Sequence, residues 1–430
     1  MSEARSRRAR TALLATTAVA ACALAPAARA AAPPTSVIAW NAIAQRAAIT
    51  VGGQPPGAST VSLAYAQAAV YDAVVAIDGH MAPYGPPLRP RRHASIDAAV
   101  ATAAHDVLIH LFPPQKTALD ADYLAALAAV PGGRAKDKGI AVGHESAAQI
   151  IALRQGDGYG ADIGFVMPAP APGVWQLPPG MAPQTPWLSR MRPFILDRAD
   201  QFRPGPPPAL SSRAWADAFN ETKAVGGTVS AIRTPEQGVI ARFWTTHTAQ
   251  QWNTALGELA LSHGLDADGA ARLFAMGDLV GADAAIGCWD AKYRYLFWRP
   301  QFAVPLAATD GNPATTPDAT WTPLVATPNH PEYPSGHGCL SSSQVQVLRA
   351  FFGTRRIDID MRSTVTPEMP VRHFGNTDQL LTEIENARIW GGIHYRFSTD
   401  AGAELGRRVA RWDLEHAFGG SGDDEDEGDD

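Results

Sequence analysis

Two cations seven residues apart, Lys292 and Arg299, begin a series of residues whose types suit one kind of chemistry. On a helix that spacing is close to two full turns, which predicts both charges on one face, with Pro300 ending the helix. Pro334-Ser335-Gly336-His337 follows at the predicted start of another helix. Free backbone amides and the positive end of the dipole favour an anion there, and a glycine lets the backbone approach closely. Arg388 and His394 then bracket Gly391-Gly392. A continuous helix would set them about 120° apart, so a break at the glycines is needed to turn both inward. Together these residues supply three fixed positive charges, a hydroxyl, backbone donors and two imidazoles, with few acids in the same motifs. That is a cage for a tetrahedral oxyanion, whose burial needs opposite charge and a hydrogen bond for every oxygen.

The three blocks, Lys-x6-Arg-Pro, Pro-Ser-Gly-His and Arg-x5-His, resemble in order and spacing the signature shared by vanadium-dependent haloperoxidases and type 2 phosphatidic acid phosphatases. The likeness covers Lys292 to Arg408 at motif level, and Trp175 through Asn220 also resembles bacterial homologues, though loosely. Ala387 departs from the pattern, which carries Ser before the arginine; the lost hydroxyl removes a supporting hydrogen bond rather than a ligand.

The resemblance implies vanadate as cofactor, with Lys292, Arg299 and Arg388 on its equatorial oxygens, Ser335 and the Gly336 amide adding hydrogen bonds, and His394 as axial metal ligand. Phosphate can occupy the same site. The resemblance also makes His337 the acid/base group and Lys292 the charge that polarises hydrogen peroxide, so that an oxygen becomes electrophilic enough for halide attack. It sets Trp289, three residues before Lys292, beside the halide pocket, and His330, seven before His337, matches a histidine of bromoperoxidases. Hydrogen peroxide, a halide (bromide over chloride) and a small organic acceptor are the partners implied.

A phosphatase would use the same cage for a phosphoryl group, with His394 attacking phosphorus and His337 protonating the leaving oxygen. Against it, that pattern expects Asp at the fourth position after the nucleophilic histidine, where Ser398 stands. This leaves His394 without a sharpening carboxylate unless Asp400 reaches it. An oxyanion-binding protein without turnover is a third reading, disfavoured because capture needs only cations and amides, not two imidazoles. Read alone, Lys292 or Arg299 is an ordinary solvated cation, His330 a loop residue and Trp289 core; the joint spacing lifts the set. His105, His110 and His144 have no zinc-ligand spacing and there is no His-Glu-x-x-His, which excludes a familiar zinc hydrolase.

The elements that must position these residues read as helices. Apolar residues recur at helical spacing from Ser59 to Ile77, Asp97 to Phe112, Lys116 to Ala129 and Lys136 to Gln155. No alternating run suggests a core strand in this half. A proline-dense stretch from Pro168 to Pro208 carries Trp175, Trp187, Phe194 and Phe202, aromatics that a free linker would not need. Helices resume after Ser211, with Thr234-Pro235-Glu236-Gln237 as a start signal. Further helical patterns span Asp266 to Trp298, Ser335 to Phe352, Asn376 to Trp390 and Thr399 to Ala417. The expectation is an all-α fold of two packed four-helix bundles with long Pro-rich loops.

The 430 residues, 46% hydrophobic, can bury a large core. Residues 1–30 read as an export signal, with a basic start, an apolar run from Ala12 to Ala25 and Ala28-Arg29-Ala30 as cleavage site, so the protein is expected to be periplasmic or secreted. Arg7-Arg8 suits twin-arginine export as well as the general route, and Val19-Ala20-Ala21-Cys22 resembles a lipoprotein box that would anchor the chain at Cys22. Residues 31–210 form an N-terminal helical region with the strap, 211–418 a bundle carrying the oxyanion site, and 419–430 a disordered acidic tail. No later segment reads as a membrane span. Without signal and tail the formal charge is -3, so nucleic-acid binding has no electrostatic support. Only Cys288 and Cys339 follow the signal, which excludes a disulfide framework and leaves one bridge open.

Overall fold

A computed structural model describes residues 34–419; the signal of 1–30 with Cys22, and the run from Asp423 to Asp430, lie outside the described residues. The chain forms α1 (Thr35–Gln45), α2 (Pro56–Asp78), α3 (Ile96–Leu111), α4 (Lys116–Ala129) and α5 (Arg134–Leu153), then, after a long irregular segment, α6 (Arg213–Gly226), α7 (Pro235–Phe243) and α8 (Thr248–Ser262). The chain continues with α9 (Ala267–Tyr295), α10 (Pro300–Ala303) and α11 (Gly336–Phe352), an antiparallel hairpin of β1 (Ile359–Arg362) and β2 (Val371–Phe374), then α12 (Thr377–Trp390) and α13 (Arg396–Ala417). The fold is all-α, with the short hairpin its one two-stranded sheet among the described residues.

Local chemistry sets the ends of these helices. Ser95 caps α3 by accepting from the Ala98 amide, and Thr234 and Gln237 form the reciprocal capping box that their spacing predicts. Helices α2, α3 and α5 pack on one another, as do α9, α11 and α13, and α2 lies along α9 so that one apolar core runs through both sets. Contrary to the sequence expectation, α2 is long and apolar enough to cross a membrane, but all of its most apolar window is buried inside the protein. It is a core helix whose every face meets a neighbour, which is why its hydrophobicity shows no helical stripe.

The Pro-rich segment is an ordered strap across α9. Asp283, fully buried in α9, accepts the backbone N–H groups of Phe194, Ile195 and Leu196 at 2.6, 2.7 and 2.8 Å, and Arg203 forks onto Asp290 at 2.6 and 2.8 Å. Trp175 and Leu188 of the strap are themselves buried.

One boundary differs from the sequence reading. Helix α9 ends at Tyr295, with Leu296 in the left-handed region at φ 47°, so Lys292 and Arg299 do not share a helical face. Lys292 sits in the last turn of α9, whereas Arg299 follows an extended stretch and caps α10. The apolar residues Phe297 and Trp298 extend the periodicity past the real end because they bury into a separate aromatic cluster with Trp215 and Tyr395.

Candidate oxyanion site

Four chain segments converge on one buried point. Helix α9 supplies Lys292, the turn after it Arg299, the start of α11 Ser335 and His337, and the junction of α12 and α13 Arg388 and His394. The junction breaks where the glycines stand. Gly392 has φ +74°, and a Cβ there would lie 2.2 Å from the Gly226 carbonyl oxygen, so no other residue fits that turn. Lys292, Arg299 and Ser335 are fully buried, and Arg388 and His394 are 2% exposed.

Arg299 is the organising cation. Its Nη1 donates to the Ile393 carbonyl at 2.7 Å and to His394 Nε2 at 3.1 Å, while Nη2 meets His330 Nδ1 at 3.0 Å and Nε the His330 carbonyl at 3.1 Å. Arg388 Nη1 donates to the Trp244 carbonyl at 2.6 Å, and its buried Nε has no hydrogen-bond partner. Lys292 departs from expectation. Its Nζ donates to the main-chain carbonyls of Pro331, Glu332 and Pro334, so what it offers the cage is charge rather than a free donor.

Ser335 caps α11, and its Oγ accepts from the Gly338 amide at 3.4 Å. A Cβ built on Gly336 would stand 3.9 Å from Lys292 Cε and 3.6 Å from the Trp289 ring, which puts the first amides of α11 against the buried lysine. His337 is half-buried and its Nε2 pairs with Thr248 Oγ1 at 3.0 Å. Trp289 and His330 lie with ring centroids 4.9 Å apart, and Lys292 Nζ is 5.8 Å from the Trp289 ring.

The sequence reading missed Glu332. Its side chain is fully buried, and its Oε1 accepts from His394 Nδ1 at 2.7 Å and from the Tyr395 amide at 3.2 Å. It sits in His-Pro-Glu-Tyr-Pro-Ser-Gly-His, two residues after His330, so the one acid inside the motif was the available signal. The carboxylate sought for His394 therefore comes from this turn, while Asp400 is exposed and Ser398 Oγ lies 3.4 Å from Nδ1. Because Nδ1–H is committed to Glu332, the Nε2 lone pair faces Arg299 and the cage.

Burial dominates the electrostatics. It pushes Lys292 down to about 8, Arg299 to about 10 and Arg388 to about 9, with Arg299 adding to the last. His330, His337 and His394 are held well below the usual imidazole range by burial, with the buried cations adding to it. Burial likewise lifts Glu332 to about 7 against the pull of Arg299 and Lys292. Three buried cations thus face one buried carboxyl, an imbalance that a bound anion offsets. The unpartnered Arg388 Nε and the amides opening α11 are hydrogen-bond donors that fit a tetrahedral oxyanion, and the lone pair on His394 Nε2 suits a metal atom at its centre. Beside the cage, Cys288 and Cys339 are buried free thiols whose sulfur atoms lie 2.7 Å apart.

Fold and site together define an all-helical protein with a buried cationic cage suited to an oxyanion. A family model, the VCPO second helical-bundle domain, matches residues 272–419, a range that holds every cage residue. The vanadium chloroperoxidase of Curvularia inaequalis is 26% identical over an alignment of 268 positions that covers 46% of this chain and less than half, 43%, of that relative. The structure of the first bacterial vanadium-dependent iodoperoxidase superposes with a TM-score of 0.76 at 25% identity, covering 89% of this chain and 96% of the other. A holo-type bacterial vanadium-dependent chloroperoxidase shares the fold at 18% identity, with a TM-score of 0.70 and coverage of 86% and 93%. The family-model match and these relatives support the vanadium haloperoxidase family for this chain.

Proposed function

We propose that this chain binds vanadate in the cage and uses hydrogen peroxide to oxidise a halide, bromide in preference to chloride, to a hypohalous-acid equivalent that reaches a small organic acceptor. The observation that carries the reading is His394, whose Nδ1 is tied to Glu332 so that Nε2 is presented to a site ringed by Arg299, Arg388 and Lys292. Vanadate, once bound, would supply a Lewis acid that activates peroxide without changing oxidation state. The residues do the rest. His394 Nε2 would ligate the metal, Arg388 Nε and the α11 amides would hold its oxygens, and Lys292 would contribute fixed charge. His337 Nε2, paired with Thr248 Oγ1, is the position that takes and returns the proton of peroxide. His330 over Trp289 is the halide-facing pair, and its imidazole supports the preference for bromide. The pattern of residues 1–30 supports export to the periplasm or beyond.

The test uses residues 31–430 stripped of anions, with peroxide, bromide and an organic dye, with and without orthovanadate. Vanadate-dependent bromination that phosphate suppresses supports the reading. A folded preparation with no bromination under either condition rejects it. Phosphomonoester hydrolysis through a phosphohistidine is the second reading, favoured by Glu332, because a carboxylate on Nδ1 would also sharpen Nε2 as a nucleophile. Hydrolysis of p-nitrophenyl phosphate that vanadate inhibits would select it.

A further inference from the structure

After residue 30 the sequence holds two cysteines, Cys288 and Cys339, and the fold brings both to one point. Cys288 lies on α9 one turn before Lys292, and Cys339 on α11 one turn after Ser335. Both side chains are fully buried, with their sulfur atoms 2.7 Å apart. Unbonded carbon atoms settle roughly 3.5–4.0 Å apart and sulfur is the larger atom, so this pair is closer than packing alone brings two side chains. Use of cysteine as a small core residue would explain the burial but not that closeness. A soft metal ion would need further ligands, and no group of three or more His, Cys, Asp or Glu side chains suited to a metal occurs among the described residues. A sulfur–sulfur bond needs only a small further approach.

The pair borders the cage. Cys288 Sγ lies 3.9 Å from the Pro334 carbonyl oxygen, which also accepts from Lys292 Nζ. The chain between the two cysteines, residues 289–338, carries Lys292, Arg299, Glu332, Ser335 and His337. Burial raises the Cys288 thiol, but the hydrogen bond with Cys339 and the charges of Lys292 and Arg299 outweigh it and hold the thiol below its usual range. Burial and the Cys288 sulfur push Cys339 well up. One sulfur is thus disposed to react as the thiolate nucleophile while the other keeps its proton.

We propose that Cys288 and Cys339 are an oxidation site, where hydrogen peroxide joins them in a disulfide that closes residues 289–338 into a loop and fixes the end of α9 against the start of α11. The Cys288 sulfur attacks one peroxide oxygen; the O–O bond breaks, and the departing hydroxide takes the thiol proton and leaves as water. The Cys339 sulfur then attacks the sulfenic acid; an S–S bond forms, the S–O bond breaks, and the hydroxyl leaves with the Cys339 proton as a second water. Two thiols lose two electrons and one peroxide is reduced to two waters. Peroxide is small and uncharged, the class of oxidant that reaches a fully buried pair. Export, which the pattern of residues 1–30 supports, removes the chain from the thiol-reducing cytosol. The hold of the bridge on the cage rests on the oxyanion reading; the bridge itself does not.

The test uses residues 31–430, which contain no other cysteine, purified reduced and then freed of reductant and anions. One half is treated with a small excess of hydrogen peroxide, and samples of both halves are unfolded in iodoacetamide and weighed by mass spectrometry. The untreated chain should carry two adducts and the treated chain none, with a peptide cross-linked between Cys288 and Cys339. The melting midpoint should rise by about 5 °C on treatment, a rise absent from the Cys288→Ser, Cys339→Ser double variant. Inorganic phosphate, titrated calorimetrically, should bind the treated chain about fivefold more tightly than the untreated one. Two adducts after treatment, or oxygen added to either cysteine without a cross-link, overturn the proposal. A bridge that leaves phosphate affinity unchanged overturns its hold on the cage. A bridged chain that binds phosphate in neither form upholds the bridge and fails the oxyanion reading. Should the double variant not fold, the adducts and phosphate affinity of the wild-type chain decide alone.

Discussion

His394 depends on a neighbour that no motif spacing marks. A ligating imidazole works best when its second nitrogen is fixed, and Glu332 does this from full burial, with Oε1 2.7 Å from Nδ1. Glu332→Gln keeps an acceptor near Nδ1 but removes its charge, so vanadate affinity should fall by about tenfold to a hundredfold, read by equilibrium dialysis. Unchanged affinity would mean that Glu332 only fills space. His394→Ala should lose vanadate while its circular dichroism stays that of the wild type; tight vanadate retention would refute the axial role. At this scale the sequence was informative about the cations and imidazoles because their types are unusual in such spacing. It was silent on Glu332 because a single acid in a proline-rich turn has no periodicity to reveal burial, and on Lys292 because main-chain carbonyls that take up its donors have no sequence signature.

Helix pairing carries these residues to one another. Along the contact of α11 with α13, a Cβ at Gly402 would meet the Ser335 carbonyl oxygen at 2.6 Å, and one at Gly406 the Cys339 carbonyl oxygen at 2.1 Å. Gly402→Ala should therefore push the start of α11 away from α13, costing about 1–3 kcal/mol in urea denaturation and weakening vanadate binding as Ser335 moves. A variant as stable as wild type with full affinity would show that the helices have room to spare. Between α9 and α8, Asp278 is buried, with one hydrogen bond from Asn253 at 2.8 Å, and burial lifts its carboxyl to about 7. A carboxyl raised in the folded state is protonated there more readily than in the unfolded chain. Its contribution is thus fully present below about pH 4 and is lost as pH rises through about 7. Asp278→Asn should reduce the loss of stability between pH 5 and 8 by about 2 kcal/mol, measured from denaturant midpoints; an unchanged slope would mean that Asp278 does not titrate. The sequence revealed most helices of the two sets because long apolar periodicities survive tertiary packing. It missed α1 and the hairpin, where eleven residues and two four-residue strands leave too little pattern, and it ran α9 on through Phe297 and Trp298, whose burial belongs to another cluster.

For the molecule as a whole, the core holds a charge problem that a ligand would solve. Lys292, Arg299 and Arg388 are buried within one site with Glu332 as the single buried carboxyl bonded into it, and burial disfavours each cation. The four segments that bring them together come from helices separated by long loops, so the unfolded chain has no comparable site and a bound oxyanion stabilises the folded state by mass action. At a hundredfold excess over its dissociation constant, orthovanadate or phosphate should add about 2.7 kcal/mol. On the proposed reading the cage would recognise shape as well as charge, through Arg388 Nε, the α11 amides and, for vanadate, His394 Nε2. A chloride salt at the same ionic strength should therefore leave the melting midpoint nearly unmoved while either oxyanion raises it, vanadate more than phosphate at equal concentration. Arg388→Ala should lose most of the shift from either oxyanion, and His394→Ala the vanadate shift while it keeps that of phosphate. A shift that follows ionic strength alone, or survives intact in Arg388→Ala, would mean that the buried cations are balanced within the protein and that the cage does not select tetrahedral anions.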